Sequence, residues 1–312
     1  MRRRLFVALQ LVALAVLIGA LAWAVRDVWP EAGPRLARAD PVELLLALAV
    51  LAAYYLVFVL GWMWILATMG IRVPYSVALQ AEMLSMLAKY VPGGVWTPAA
   101  RVVAMRRFGI RDTPVLIASI LLEAGLSAVA GVLVFLASLP FLGVPVGAPI
   151  GPLVAFGILV TVLLHPRIFA WLARKVLRPF GAADVPPLPW SSALGILAFY
   201  LVTWPIGGFA LFFLLRAVGG DPELASVPFL GGAAAVGAIV AVLAVFAPSG
   251  LGVREGAMYG LILAVASEGV ALGATIMNRL AITVVEALLL LVGAIAWRGR
   301  LWSREALAQS GR

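Results

Sequence analysis

The sequence predicts an all-α, polytopic membrane protein, and three observations carry the prediction. Hydrophobic residues make up 64% of the chain and charged residues only 12%, with a mean hydropathy of +1.10, whereas soluble domains carry about a quarter charged residues. Several apolar runs approach or exceed the roughly 20 residues that cross a bilayer as a helix. The runs are continuous rather than alternating, which excludes a transmembrane barrel.

Charge and composition narrow the function classes. The net charge of +9 would raise nucleic acid as a partner in a soluble chain. Here Lys and Arg cluster at the ends of apolar runs, where cytoplasmic loops of membrane proteins carry them, so no nucleic-acid partner is expected. The chain has no cysteine, which removes disulfides and thiol chemistry. Its single histidine, His165, ends an apolar run and reads as an interfacial residue. No His/Asp/Glu spacing suits a metal, and neither metal nor cofactor is expected. There is no Walker loop, and Ser249 lies outside any nucleophile elbow, so ATP hydrolysis and serine hydrolysis are not expected either.

In chain order, Met1-Arg2-Arg3-Arg4 and the apolar Leu5–Val25 resemble a secretory signal. The run is long for one, and it reads as a retained first helix. A polar link over 26–41 precedes a span at 42–69, where Trp62 and Trp64 suit an interface belt. Pro74 opens a helix that carries Glu82, Ser85 and Lys89 on one face at i, i+3, i+7. Pro92-Gly93-Gly94 breaks it, and a short helix follows from Trp96 to about Phe108, with Thr97 as cap and Pro98 as first residue. Spans are expected at 113–139, where Glu123 lies between Ser119 and Ser127, and at 150–165. Residues 166–189, with Arg167, Arg174, Lys175 and Arg178, read as an amphipathic cytoplasmic connection. The span at 190–215 contains a kink signal, Pro205-Ile206-Gly207-Gly208. A Gly/Ala-rich helix over 227–246, whose Gly231–Gly237 stretch suits close packing, runs into a break at Pro248–Gly252 and resumes over 251–267. A last span at 272–297 precedes a basic tail.

Charge counting orients these elements. With the N-terminus inside and each Pro-Gly break at the tip of a re-entrant hairpin, sixteen of the 23 Lys/Arg fall inside, at Arg2–Arg4, Arg72, Arg101–Arg111, Arg167–Arg178 and Arg298–Arg312. Four fall outside: Arg26, Arg35, Arg38 and Arg216. The expected architecture is about six full spans plus two hairpins, at about 75–108 and 227–267, entering from opposite faces. Both termini are then cytoplasmic, and 1–312 forms one integral domain of the cell (inner) membrane. Full crossing by the 227–246 and 251–267 pieces leaves the remaining spans in the same parity, so the sequence fits either arrangement.

A broken helix in hydrocarbon frees backbone groups that must line a cavity or be buried in protein. The second limb of each hairpin begins at depth with unpaired N–H groups and a positive dipole end, a geometry suited to phosphate. Arg254 and Glu255 each cost about 2.5–3.5 kcal/mol in mid-membrane sequence, so each needs a partner or a task. Arg101 and Arg254 lie close to the two breaks, and a guanidinium matches phosphate in bidentate geometry. A phosphate-bearing head group between the two tips is the reading that follows. The buried candidates are Glu82, Glu123, Glu255 and Glu286 against Lys89, Arg101, Arg254 and Arg279, a formally neutral set. Arg279, Thr283 and Glu286 share a helix face, and Asn278 is a further hydrogen-bonding candidate. The plain alternative is that Arg254–Glu255, Glu123 and Arg279 neutralise one another and hold the bundle together. A buried carboxylate can also carry a coupled proton, with nothing in the sequence selecting which.

The stretch Pro248-Ser249-Gly250-Leu251-Gly252-Val253-Arg254-Glu255-Gly256 resembles the Pro-x-Gly-Leu-Gly-x-Arg-Glu signature of the lysylphosphatidylglycerol synthase transmembrane-region family. Pro92, Gly93, Gly94 and Arg101 match its earlier Pro-Gly-Gly…Arg stretch, although Trp96-Thr97-Pro98 stands where small and acidic residues are usual. Glu123 resembles a glutamate of the following span and Arg279 an arginine of the last. The resemblance implies lipid movement between leaflets, with Pro92, Gly93, Gly94, Arg101, Glu123, Pro248, Gly250, Gly252, Arg254, Glu255 and Arg279 as substrate-binding candidates. Glu82, Lys89, Asn278 and Glu286 are secondary ones. In bifunctional members this region precedes a soluble aminoacyltransferase domain. None is expected before Arg312, so translocation rather than synthesis carries over, with a separate lipid-modifying enzyme as a candidate partner. The expected function is flippase or scramblase-like transport of an anionic or phosphate-containing lipid, without enzyme activity. The alternatives are a membrane enzyme acting on a polyprenyl phosphate or related lipid, and a scaffold in envelope-lipid biosynthesis.

Overall fold

A computed structural model of the chain describes residues 29–89, 96–142, 150–178, 185–245 and 247–310. The expected helix at 5–25 and the Pro92-Gly93-Gly94 break lie outside the described residues. Those residues hold eleven α-helices and no strand.

Helix α1 (Trp29–Ala37) leads into α2 (Pro41–Thr68). Asp40 starts α2: its carboxylate accepts from Val42 N–H at 2.8 Å, and Pro41 takes the first position, where no donor is lost. Next come α3 (Tyr75–Ala88) and α4 (Trp96–Arg107), packed against each other. At 14 and 12 residues they are about 21 and 18 Å long, short of the roughly 30 Å hydrocarbon core. Thr97 and Pro98 sit inside the first turn of α4 rather than at its cap, because the helix already begins at Trp96. Asp112 caps α5 (Thr113–Ser138) by accepting from Val115 N–H at 3.2 Å. Helices α6 (Ile150–Leu164) and α7 (Pro166–Leu177) meet at 77°, with the imidazole Nδ1 of His165 accepting from Arg167 N–H at the corner. The amphipathic α7 buries Ala173 and Leu177 against Met69, Val115, Val185 and Leu188. Helices α8 (Trp190–Ala217), α9 (Val227–Leu243), α10 (Val253–Ile262) and α11 (Glu268–Ser310) complete the chain.

Five helical stretches are long and apolar enough to cross a membrane: Pro41–Thr68, Thr113–Phe141, Trp190–Ala217, Leu224–Leu243 and Glu268–Gly293. The bent α6–α7 pair raises the number to six. Four of the five coincide with expected spans. The fifth, Leu224–Leu243, was expected as a hairpin limb; a 3₁₀ turn at Leu224–Ser226 lengthens α9 to 20 residues. Conversely, the span expected at 150–165 is only 15 residues before the chain turns. Helix α11 absorbs the basic tail and continues to Ser310.

Lipid gives helices no hydrophobic reason to associate, so close backbone packing must supply the attraction. A Cβ at Gly208 of α8 would lie 2.2 Å from Val227 O, one at Gly231 of α9 2.5 Å from Trp204 O, and one at Gly232 2.5 Å from Phe135 Cα. The small-residue stretch is therefore the α5–α8–α9 interface. The Pro205 kink signal does not end a helix: α8 runs through it unbroken, and the adjacent Gly208 serves packing instead. Indole donors tie the outer helices inward, from Trp62 Nε1 to Ser119 Oγ at 3.0 Å and from Trp204 Nε1 to Ser127 O at 2.8 Å.

The two ends of the bundle differ in charge. One gathers the 69–73, 106–118, 173–177 and 185–188 segments, with Arg72, Arg106, Arg107, Arg111, Arg174 and Lys175. The other joins 31–43, 216–222 and 265–270, through Asp40 N–H to Ala217 O at 2.8 Å and an Arg216–Glu43 ion pair at 2.9 Å.

Gly232→Val is expected to drive a side chain into the α5 backbone and lower stability by about 1–3 kcal/mol or more, read as a lower unfolding temperature and loss of a monodisperse peak in detergent. Gly151→Ala, where a Cβ meets open space, is expected to change neither.

Candidate functional site

The site is built on the interruption between α9 and α10. After Leu243 the chain makes a turn and a 3₁₀ segment, Pro248–Gly250, before α10 begins. Ser249, Gly250 and Gly252 have φ of 54°, 66° and 83°. Left-handed backbone at Ser249 costs about 1–3 kcal/mol, and the next residue packs tightly, since a Cβ at Gly250 would stand 2.2 Å from the Cβ of Ala241. Gly252 N–H donates to Glu255 Oε2 at 2.7 Å, the reach-back half of a capping box. Glu255 Oε1 also pairs with Arg279 of α11 at 3.3 Å, and Arg279 donates to Ser249 O at 3.1 Å. Glu255, Gly250, Gly252 and Arg279 thus shape the turn.

Arg254 points elsewhere. It forms no hydrogen bond or ion pair with any described residue, and its stem lies over Gly237, where a Cβ would be 3.4 Å from Arg254 Cγ. Its charge acts on Tyr54 and Tyr55 of α2 and on Lys89 at the end of α3. Lys89 Nζ pairs with both oxygens of Glu286 on α11, the longer contact being 2.6 Å. Tyr55 Oη–H donates to Glu286 Oε1 at 2.7 Å. The end of α3 and the start of α10 are therefore both within the electrostatic reach of groups on α2 and α11. Among the described residues, three cations, Lys89, Arg254 and Arg279, stand with two carboxylates, Glu255 and Glu286, so this cluster is formally positive by one.

Arg101 does not share that cluster. It is 5% exposed, and its guanidinium pairs with Glu82 at 3.2 Å and with Glu123. It lies 4.7 Å over the Trp62 ring and makes a long contact to Ser85 Oγ. Arg101 is thus a buried internal partner rather than a cytoplasmic charge, and it is saturated rather than presented to a tip. The charge asymmetry between the two ends survives its removal from the count. The single neutral cavity predicted from the sequence resolves into two clusters, one positive around Arg254 and one negative around Arg101. Of the plain alternative, in which these charges neutralise one another, the Glu255–Arg279 pair is present, while Arg254 takes no part in it. Glu82, Ser85 and Lys89 share a helix face but divide between the clusters. Asn278 is buried, its Nδ2 3.7 Å from Met258 Sδ, in the packing of α10 on α11. Tyr54, Tyr55 and Trp62 were not anticipated as parts of the site; adjacent tyrosines in mid-span were the available signal.

An all-helical bundle with charged, interrupted helices in its interior defines a multi-pass membrane protein with an internal polar site. The chain belongs to the lysylphosphatidylglycerol synthase TM region family, whose model matches residues 10–299, as the Pro-Ser-Gly-Leu-Gly-Val-Arg-Glu stretch indicated. Membership gives the protein a membrane-lipid-related role. No curated protein sequence matches the chain.

Arg101→Ala would leave Glu82 and Glu123 buried without their cation, and a loss of about 3–5 kcal/mol in unfolding free energy is expected. Arg101→Lys is expected to rescue little of it, since an ammonium lacks the planar fork that reaches two carboxylates at once. Denaturation in detergent micelles checks both.

Proposed function

We propose that the protein moves an anionic, phosphate-containing lipid between membrane leaflets, its head group held where two re-entrant hairpin tips converge. Arg254 carries the reading. A half-buried guanidinium in the first turn of α10, without any described anionic partner, is a charge awaiting one. A phosphate supplies a bidentate match, and the leading N–H groups of α10 add donors with a positive dipole end. Lys89 can exchange Glu286 for phosphate at modest electrostatic cost, because Arg254 and Arg279 already make its surroundings positive.

The hairpin arrangement is supported by where the limbs begin and end. Ile71 and Val73 before α3 and Ile110 after α4 belong to one cluster. Residues 219–222 before α9 and 265–270 after α10 line one recess with Arg35. Each pair of limbs thus returns to the end of the bundle it left, and the two pairs use opposite ends. In this reading the basic end faces the cytoplasm, as the positive-inside rule expects, with both termini on that side of the cell membrane.

In vesicles containing fluorescent phosphatidylglycerol, the protein is expected to exchange the lipid between leaflets. Arg254→Ala should slow exchange tenfold or more, in line with about 1.5–3 kcal/mol for a hydrogen bond to a charged group, and Arg254→Lys should fall between. A protein that exchanges no anionic lipid, yet releases phosphate from a polyprenyl phosphate in detergent, is an enzyme and the transport reading is wrong.

The chain lacks cysteine, so single cysteines at the exposed Arg106 and Leu224 report sidedness directly. Labelling from opposite sides of the membrane is expected; labelling from the same side sinks the two-sided arrangement.

A further inference from the structure

The negative cluster has features the head-group site does not use. Glu82 of α3 and Glu123 of α5 are 2% and 4% exposed and share the one guanidinium of Arg101. Each gives a single oxygen to it. The other two oxygens, Glu82 Oε2 and Glu123 Oε1, are buried with no hydrogen-bond partner, and so is the Tyr200 hydroxyl. Tyr200 is fully buried, its hydroxyl set against Gly61, and the charges that act on it are Glu123, Glu82 and Arg101. Two carboxylates, one guanidinium and one neutral phenol leave a surplus negative charge where water does not reach.

The packed neighbours do not cancel it. Helices α6 and α9 contain no ionisable residue. Helix α8 brings only Tyr200 to the cluster, its Arg216 being paired with Glu43 at the far end. Helix α2 brings Tyr54, which lies within the fields of Glu82, Glu123 and Arg254 alike. On α11, Glu286 is paired with Lys89 and Arg279 with Glu255. An isolated buried charge is too costly to persist and is neutralised instead. Two carboxylates competing for one cation do this by sharing a proton. A protonated carboxyl also provides the O–H donor that one orphaned oxygen lacks. A metal is the poorer fit, since no three His, Cys, Asp or Glu gather among the described residues.

We propose that the Glu82–Glu123–Arg101–Tyr200 cluster carries one exchangeable proton, and that this proton crosses with the lipid anion. The coupling rests on the transport reading above; the proton itself does not. Tyr54 bridges the two fields, so an anion that neutralises Arg254 makes the interior more negative and favours proton uptake. Lipid and proton then assist each other's binding, reciprocally. Each turnover moves a near-neutral load.

The test uses the full chain in vesicles with fluorescent phosphatidylglycerol and an internal pH dye, alongside infrared difference spectra in detergent. With one proton per lipid, a pH difference of one unit should bias the final leaflet ratio about tenfold, and the dye should report proton entry. The infrared spectrum should show a protonated carboxyl band at neutral pH that Glu82→Gln and Glu123→Gln each remove. Neither variant should follow the pH gradient. A wild type that exchanges lipid with no bias overturns the coupling. A band that survives both substitutions overturns the proton site. A wild type that exchanges no lipid at any pH defeats the transport reading and the coupling with it, while the band alone still decides for or against the proton.

Discussion

Contact between backbones is the constraint on which the rest of this molecule depends. Between lipid-facing surfaces there is no water to expel, so helices gain by approaching closely enough for main-chain atoms to touch. Gly208, Gly231 and Gly232 make this approach at the α5–α8–α9 interface, where any side chain would collide with backbone. Because that frame is held by small residues, it can tolerate neighbours that are poor membrane helices. The short α3, α4 and α10, which cannot span alone, are held by packing against longer neighbours: Ala78, Ala81 and Met105 join the cluster around Trp62, and Met258 and Ile262 the one around Phe229.

Interrupted helices then become places for charge. Their ends carry unpaired backbone groups and a dipole, and the structure surrounds them with ionisable side chains in unequal numbers. Lys89, Arg254 and Arg279 outnumber Glu255 and Glu286, while Glu82 and Glu123 outnumber Arg101. The total balances; the distribution does not. That separation distinguishes this interior from one whose charges merely cancel in place.

Much of the architecture was legible because membrane length and hydrophobicity are one-dimensional quantities. The spans around Trp62, Glu123, Trp204 and Arg279 follow from run length alone, and the Arg254–Glu255 break from charge inside an apolar run. Pairing was less legible, because it depends on helix rotation and on which elements touch. Arg101 and Arg254 look equivalent in sequence, each following a glycine break, yet Arg101 faces Glu82 and Glu123 while Arg254 faces Tyr54, Tyr55 and Lys89. The tyrosines were hidden because aromatic residues in an apolar run read as lipid-facing or core. The full length of α9 was hidden for a similar reason: Gly and Ala suit both a packed span and a hairpin limb.

The stacking of Arg101 on Trp62 has a mechanical side. One guanidinium joins α4 to α2, α3 and α5 together, so any sliding of α4 exposes charge on several partners at once. Arg101 thereby couples the positions of four helices. On the other side of the bundle, Arg279 of α11 holds Glu255 of α10 and the Ser249 carbonyl just before it, and Asn278 reaches Met258 a turn further on. A tilt of any one of the four helices that meet at Arg101 must therefore be answered by the other three, whereas the Arg279 ties bind a single pair.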